Sequence, residues 1–378
     1  MELPEFPVPP AAGPHAALRA EVRAFLKTAL PRGFSEKDRA QSWTGFDAGF
    51  SRALGAAGFI GMTWSPDYGG HGRSFVERQV VLEELLAAGA PVAAHWIADR
   101  QSAPMILRNG TEAQRREILP KIAAGTCYFC IGMSEPDSGS DLASARSRAE
   151  RRSDGRWTLS GTKLWTTYAH KSHYMICFCR TSASEVRHGG FSQFLVDLSL
   201  PGITIRPVRD ISGAHHFNEV HFDEVILPED ALLGREGEGW AQVMAELSFE
   251  RSGPERFLSS FPLAEAFLRA APDTEESRRE LGRQAAHLMV LRQMSHSVAG
   301  RLQAGERPDL HAAIVKDLGA DFEQQLPERL RPCLNPLCAD DSYRETFDHI
   351  RQAAPSYSLR GGTREILRGI IARGLGLH

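Results

Sequence analysis

Gly132-Met-Ser-Glu-Pro-Asp-Ser-Gly-Ser-Asp141 is the stretch on which the reading of this chain turns. It follows an apolar run, Cys127 to Met133, that reads as a buried strand. Glu135-Pro136 stops regular structure, and Asp137 to Asp141 are all turn formers. Such a loop gathers backbone N–H groups and hydroxyls around a glycine, which suits the polar edge of a flat cofactor or a pyrophosphate. An ordinary surface turn has the same composition.

Outward from this loop the chain changes character on both sides. Before it, His15–Leu30, Phe46–Gly58, Ser74–Gly89, Pro91–Asn109 and Glu112–Ala124 carry apolar residues at helical spacing, the last with Thr111 as its cap. After it, Trp157–Thr167, Tyr174–Arg180, Phe191–Asp197, Ile203–Val208 and Asn218–Leu227 are short and β-rich, separated by Gly, Pro, Asp or Ser. Helices return from Trp240, with Arg278–Ala304, His311–Leu326 and Asp341–Gln352 beyond. This predicts an α+β fold with three domains: helical over 1–125, β over 126–232, helical over 233–378.

Composition narrows the function. Of 378 residues, 42% are hydrophobic and 24% charged, as in an ordinary soluble protein. With 44 basic and 47 acidic residues the net charge is −3, which gives no electrostatic case for nucleic acid or an anionic membrane. The first residues, MELPEFPVPPAAGP, lack a basic n-region and an apolar h-region. The most apolar stretch, Val80–Ala98, carries Glu83, Glu84 and His95 and is no membrane span. A cytoplasmic location is expected. Cys127 and Cys130, three apart on a strand, face opposite sides and cannot grip one metal. Cys177, Cys179, Cys333 and Cys338 have no ligand-spaced partners, so all six cysteines are expected to be structural thiols and no metal site is expected.

Several motifs together resemble the acyl-CoA dehydrogenase family. The loop itself is similar to its small-Met-Ser-Glu-x-x-Ser-Gly-Ser-Asp signature. Trp64-Ser-Pro-Asp-Tyr-Gly-Gly70 resembles its W-P-x-x-Y-G-G turn, and Gly161-Thr-Lys-Leu-Trp165-Thr-Thr167 its G-x-K-x-W-I-T strand. Phe217-Asn-Glu-Val220, Val225 to Pro228 and Gly361-Gly-Thr-Arg-Glu-Ile366 resemble the end of its β domain and its C-terminal G-G-T-x-E-I turn. The blocks stand in family order; residues 255–355 match poorly.

The resemblance implies a helical N-terminal domain, a central β-barrel or sandwich and a C-terminal helical bundle. It implies FAD as cofactor and α,β-desaturation of an acyl-CoA, with an electron-transferring flavoprotein as acceptor. Ile131, Met133, Ser134, Trp165 and Thr167 match flavin-contacting positions, Thr363 and Glu365 match positions near FAD, and Ser140 and Arg251 match substrate positions. One family position for the catalytic base is Gly361 here; the other, in L-x-x-E-R, is Glu250 of Leu247-Ser-Phe-Glu-Arg251. Pro254 lacks an N–H for the carbonyl of residue 250, so the helix is expected to kink there. On a continuing helix the rival Glu255 lies about 140° around the axis.

Two family segments, R-x-x-F/Q-F-G and Q-x-x-G-G, reach the FAD of a neighbouring subunit, and neither is found. Phe261-Pro-Leu and Cys333-Leu-Asn-Pro-Leu-Cys338 stand in their place. The resemblance therefore leaves three readings: a dehydrogenase with base Glu250, acting as a homodimer or as a heterotetramer with a related chain; a non-catalytic or half-site partner subunit; and an oxygen-using acyl-CoA oxidase.

Overall fold

The computed structural model describes residues 4–9, 15–251, 253–333 and 340–377, and for 246–250 the backbone alone. In chain order the helices are α1 (Ala16–Ala29), α2 (Glu36–Ala40), α3 (Ala48–Ala56), α4 (Phe75–Ala87), α5 (Ala93–Ile97), α6 (Ala103–Asn109) and α7 (Glu112–Ala123). Strands follow: β1 (Phe129–Gly132), β2 (Arg148–Arg151), β3 (Trp157–Thr167), β4 (Tyr174–Arg180), β5 (Phe191–Asp197), β6 (Ile203–Val208), β7 (Phe217–Leu227) and β8 (Leu232–Leu233). The chain closes with α8 (Gly239–Glu250), α9 (Phe261–Ala270), α10 (Glu275–Gln303), α11 (Asp309–Leu330), α12 (Asp341–Ala353) and α13 (Arg364–Gly374). Helices, a sheet and helices again make the α+β layout.

The chain divides into two compact units. The sheet unit is Trp64–His71 with Ala94–Leu247; the helical unit is Met1–Thr63, Gly72–Ala93 and Ser248–His378. In the sheet unit the strands run β6-β7-β3-β2-β4-β5-β8, with β1 added in parallel to β4. β3 and β7, eleven residues each, pair antiparallel and carry the longest ladder. One face of the sheet buries Trp157, Leu159, Cys177, Cys179, Phe194, Val220 and Phe222 in a common core. β4 is buried from Met175 through Cys179, the continuous pattern of a central strand.

The helical unit is tied through α4, which is buried from Val76 through Leu86 apart from Glu77. A helix buried all round must pair any charge it carries. Glu83 accepts from Arg19 Nη2 on α1 at 2.6 Å, and from Arg292 Nε and His296 Nε2 on α10 at 2.9 and 2.8 Å. Glu84 accepts from Arg19 Nη1 and Arg23 Nε, both at 2.7 Å. Burial pushes the Glu83 carboxyl up, but the hydrogen bonds from His296 and Arg19 outweigh it and hold the group below its ordinary value.

Two features depart from the sequence pattern, and one helix begins at a proline. The helix expected over Pro91–Asn109 is broken by a π-helical segment, Ala98–Ser102, where the Ala103 N–H bonds the Ala98 carbonyl. Pro104, one residue further, has no N–H for the Arg100 carbonyl, and the wider turn accommodates that loss. Phe261–Ala270 is a helix, because Pro262 stands in its first turn, where proline starts a helix rather than stopping one. The kink expected at Glu250 is instead a termination. α8 ends at Glu250, Gly253 is extended (φ −72°, ψ 165°), and Pro254–Arg256 form a separate 3₁₀ turn. A residue preceding proline is driven out of the α region, which ends the helix.

Candidate active site

In the sheet unit, β1 delivers the signature loop. Gly132 closes the strand in a tight space: a Cβ there would lie 2.5 Å from Met175 Sδ and 3.2 Å from Lys163 Cγ. Beyond it the loop folds on itself, Glu135 N–H donating to the Ser138 carbonyl at 2.7 Å and Ser138 N–H to the Glu135 carbonyl at 3.1 Å. The Glu135 carboxylate points inward. Oε1 accepts from Lys163 Nζ at 2.7 Å and from the Ser147 N–H at 2.9 Å; Oε2 accepts from the Arg146 N–H at 2.6 Å. Lys163, on β3 and fully buried, also donates to the Met133 carbonyl at 3.1 Å. The Leu164 N–H donates to the Ser134 carbonyl at 2.9 Å. Loop and strand β3 are thus clasped at three adjacent points.

What the clasp presents is Trp165. Against β7, Lys163 faces Val220 and Thr166 faces Asn218, so Leu164 and Trp165 share a single partner position in a β-bulge. Trp165 has φ 61°, left-handed backbone that bulky residues seldom take, and the residue is 55% exposed. Its ring meets Phe217 edge-on at 5.8 Å. Thr166 beside it is buried, and its hydroxyl has no hydrogen-bond partner among the described residues. A large aromatic held in solvent on a strained backbone serves no core, and strain of this kind gathers at ligand sites. Its exposed face suits a flat aromatic ring, so Trp165 with the clasped loop fits the ring of a flavin.

The other predicted residues of this unit lie along the same loop and strand. Ile131, Ser134 and Thr167 are half-buried, Met133 leans on the cluster of Phe178, Phe191 and Val243, and Ser140 is exposed at the loop tip. Asp141, next to it, accepts from Ser144 Oγ at 2.5 Å and Arg187 Nη2 at 2.8 Å, which fixes the end of the loop.

In the helical unit, Gly361 and Gly362 make a turn with φ 70° and 98°, and Thr363 opens α13. The Glu365 carboxyl is held below its ordinary value by its own backbone N–H and by the Thr363 hydroxyl. Arg251 is buried, and its Nε donates to the Gly361 carbonyl at 3.0 Å. The Glu250 side chain lies outside the described residues, as does Cys338. Glu255, expected on the same helix as Glu250, sits on the separate 3₁₀ turn; it is fully buried, with Oε1 3.5 Å from Arg256 Nε. Sequence reasoning passed over Lys163, Lys316 and Arg360, because lysine and arginine read as surface residues. The five described cysteines are free and buried. Among the described residues no cluster of His, Cys, Asp and Glu could hold a metal, and no helix is long and apolar enough to cross a membrane.

Models of the acyl-CoA dehydrogenase N-terminal, middle and C-terminal domains match residues 14–126, 130–225 and 263–376. The acyl-CoA dehydrogenase IpdE1 of Mycobacterium tuberculosis is 32% identical over 377 residues, covering 95% of this chain and 97% of its own. This chain belongs to the acyl-CoA dehydrogenase family. Two solved structures align over 100% of both chains at 26% identity: the Tcur3481-Tcur3483 steroid ACAD, with TM-score 0.86, and the ChsE4-ChsE5 complex from Mycobacterium tuberculosis, with TM-score 0.83. Members of this family are oxidoreductases and FAD flavoproteins.

The clasp makes a stability prediction. Burial pushes the Glu135 carboxyl up, but the Lys163 ammonium and the N–H of Arg146 more than compensate and hold it below its ordinary value. Its contribution is therefore complete above about pH 4.5 and is lost as pH falls through the depressed value. Glu135→Gln strands the buried Lys163 ammonium and should cost about 3 kcal/mol at pH 7. For a chain of 378 residues the thermal midpoint should fall by roughly 4 °C. Scanning calorimetry from pH 7 to pH 3 should show wild type and variant converging; a constant gap would show that Glu135 does not act through its charge.

Proposed function

We propose that this chain is a FAD-dependent acyl-CoA dehydrogenase that desaturates an acyl-CoA thioester between its α and β carbons. The observation that carries the reading is Trp165, exposed and left-handed beside the clasped loop. Glu250, in Leu247-Ser-Phe-Glu-Arg251, is the base that removes the α proton. Bound FAD would supply the acceptor for the β hydrogen as hydride, so that with the proton taken by Glu250 the substrate would lose one proton and one hydride and gain a C=C bond. On this chain's side, Ile131, Met133, Ser134, Trp165 and Thr167 contact the flavin ring, Thr363 and Glu365 contact FAD elsewhere, and Ser140 and Arg251 serve the substrate. The electron acceptor is an electron-transferring flavoprotein. The buried free thiols fit a reducing compartment, and we assign the chain to the cytoplasm.

A half-site arrangement has its own support. The two segments that lend pyrophosphate and adenosine contacts to a neighbour's FAD are absent. Each charge-assisted hydrogen bond so lost is worth roughly 1.5–3 kcal/mol, and two change affinity by a factor of 100 or more. We therefore propose an α2β2 assembly with a related chain that supplies both segments. The similar ChsE4-ChsE5 structure is a complex of two named chains.

Three measurements check these proposals. Trp165→Ala should lower flavin affinity on the order of tenfold, as a lost aromatic contact of about 1.4 kcal/mol does. Folding stability should change by only about 0.5 kcal/mol, the usual effect of an exposed substitution. Flavin retained as firmly as in wild type would remove Trp165 from the slot. Glu250→Gln should keep flavin yet slow its anaerobic bleaching by acyl-CoA by roughly 10²- to 10⁴-fold, the contribution of a general base. Near-wild-type bleaching would exclude Glu250 as the base. Flavin content per chain tests the assembly. The chain alone should hold FAD weakly or substoichiometrically, and one tightly bound FAD per subunit in a pure homo-oligomer would rule out the α2β2 reading.

A further inference from the structure

Lys316, on α11, is fully buried, and its ammonium donates to the Gly362 carbonyl at 2.8 Å. Arg251 donates to the preceding carbonyl, that of Gly361, at 3.0 Å. One residue earlier, Arg360 lies over the rings of Trp43 and Tyr357, each 4.8 Å away. Its Nη2 donates to the Glu255 carbonyl at 3.1 Å, to Ser259 Oγ at 2.7 Å and to Glu323 at 3.2 Å. Glu323, also buried, accepts from the N–H groups of Ser259 and Ser260 at 2.6 and 3.2 Å. Two buried cations, Lys316 and Arg251, thus hold two successive carbonyls, and the half-buried Arg360 anchors the residue before them.

A glycine pair is the least constrained turn a chain can make, since glycine takes left- and right-handed backbone alike. Holding both carbonyls selects one turn from that set. In a trans peptide the N–H points opposite to the C=O. Pulling the Gly361 and Gly362 carbonyls toward Arg251 and Lys316 therefore turns the N–H groups of Gly362 and Thr363 the other way, at the start of α13. A Cβ on Gly362 would lie 3.4 Å from Arg251 Nη2, so Arg251 packs directly against the turn it holds. Burying an ammonium is expensive, and an apolar residue of similar volume usually supports a fold as well. What distinguishes lysine at 316 is its grip on the turn.

We propose that Lys316, acting with Arg251, is a positioning residue that fixes the peptide planes of the Gly361–Gly362 turn for FAD binding. This rests on the reading above in which Thr363 and Glu365 contact FAD. Lys316 does so from behind the turn, through the backbone.

The test is Lys316→Met, which keeps the length of the side chain and removes its charge and donors. It is made in whichever assembly holds flavin in wild type, alone or with the related chain. The FAD dissociation constant should rise on the order of tenfold or more. The thermal midpoint of the flavin-free protein should stay close to wild type, so that affinity falls without a loss of folding stability. An unchanged dissociation constant overturns the proposal. So does a flavin-free protein that loses its midpoint along with its affinity, since Lys316 is then a structural residue only. If Lys316→Met does not fold, Gly362→Ala decides. It leaves Lys316 in place and strains the turn at φ 98°, and it should weaken FAD binding similarly; wild-type binding in that variant overturns the clamp. A wild-type protein without flavin in any assembly removes the underlying reading and the proposal together. Firm flavin binding by wild type and Lys316→Met alike overturns the clamp alone.

Discussion

The buried contact between Glu135 and Lys163 is the constraint on which the sheet unit's functional surface depends. A loop of Pro, Asp, Ser and Gly has no regular hydrogen-bond ladder of its own to fix its shape. Glu135 supplies the missing order by accepting two backbone N–H groups from residues 146 and 147 and the ammonium from β3. Both members are nearly or wholly sealed from water, so neither can leave the pair without stranding the other. A surface ion pair of the same length would fluctuate and contribute little. Burial converts this pair from a marginal stabiliser into a device that specifies one loop conformation.

That specificity is used two residues beyond Lys163. The strain at Trp165 needs a surrounding structure that over-determines it, and three features do so. Lys163 is locked in the core, the Leu164 N–H is bonded to Ser134, and the Asn218 side-chain amide donates to the Thr166 carbonyl at 3.0 Å. With neighbours on both sides held, the bulge cannot slide, and the indole has no route back into the sheet. The cost of a left-handed tryptophan is met by packing elsewhere along β3 and β7, where Trp157, Leu159, Val220 and Phe222 are buried.

Much of this was legible in the residues. Trp157–Thr167 and Tyr174–Arg180 carry the strand pattern and turn residues at both ends, and they form strands over those spans. The loop from Gly132 to Asp141 announces itself by composition. What period and composition do not encode is the exception at a single residue. Trp165 sits on the motif strand, yet no residue type signals that its backbone turns left-handed and its ring faces water. Lys163 and Lys316 read as solvated because lysine nearly always is; their burial follows from tertiary contacts to carbonyls 30 and 46 residues away in the chain. Pro262 and Pro254 show the same limit from the side of the backbone. One opens a helix and the other ends one, according to where the helical hydrogen bonds begin.

The two units use one device twice. In each, a fully buried lysine on a regular element donates to a carbonyl of an irregular loop: Lys163 of β3 to Met133, and Lys316 of α11 to Gly362. Both loops contain a glycine that the backbone requires, Gly132 because a Cβ there would meet Met175 Sδ at 2.5 Å and Gly362 because its φ is 98°. Glycine admits the close approach but brings conformational freedom, and freedom in a binding loop weakens the ligand by the entropy of ordering it. An ammonium can remove that freedom without a bulky neighbour, because it acts through a long, thin stem and three donors. Apolar packing could not do this, since it has nothing to grip on a peptide carbonyl. The buried lysines thus let short glycine loops be both close-fitting and rigid, which is what a site must be if it is to hold a flat cofactor against a substrate.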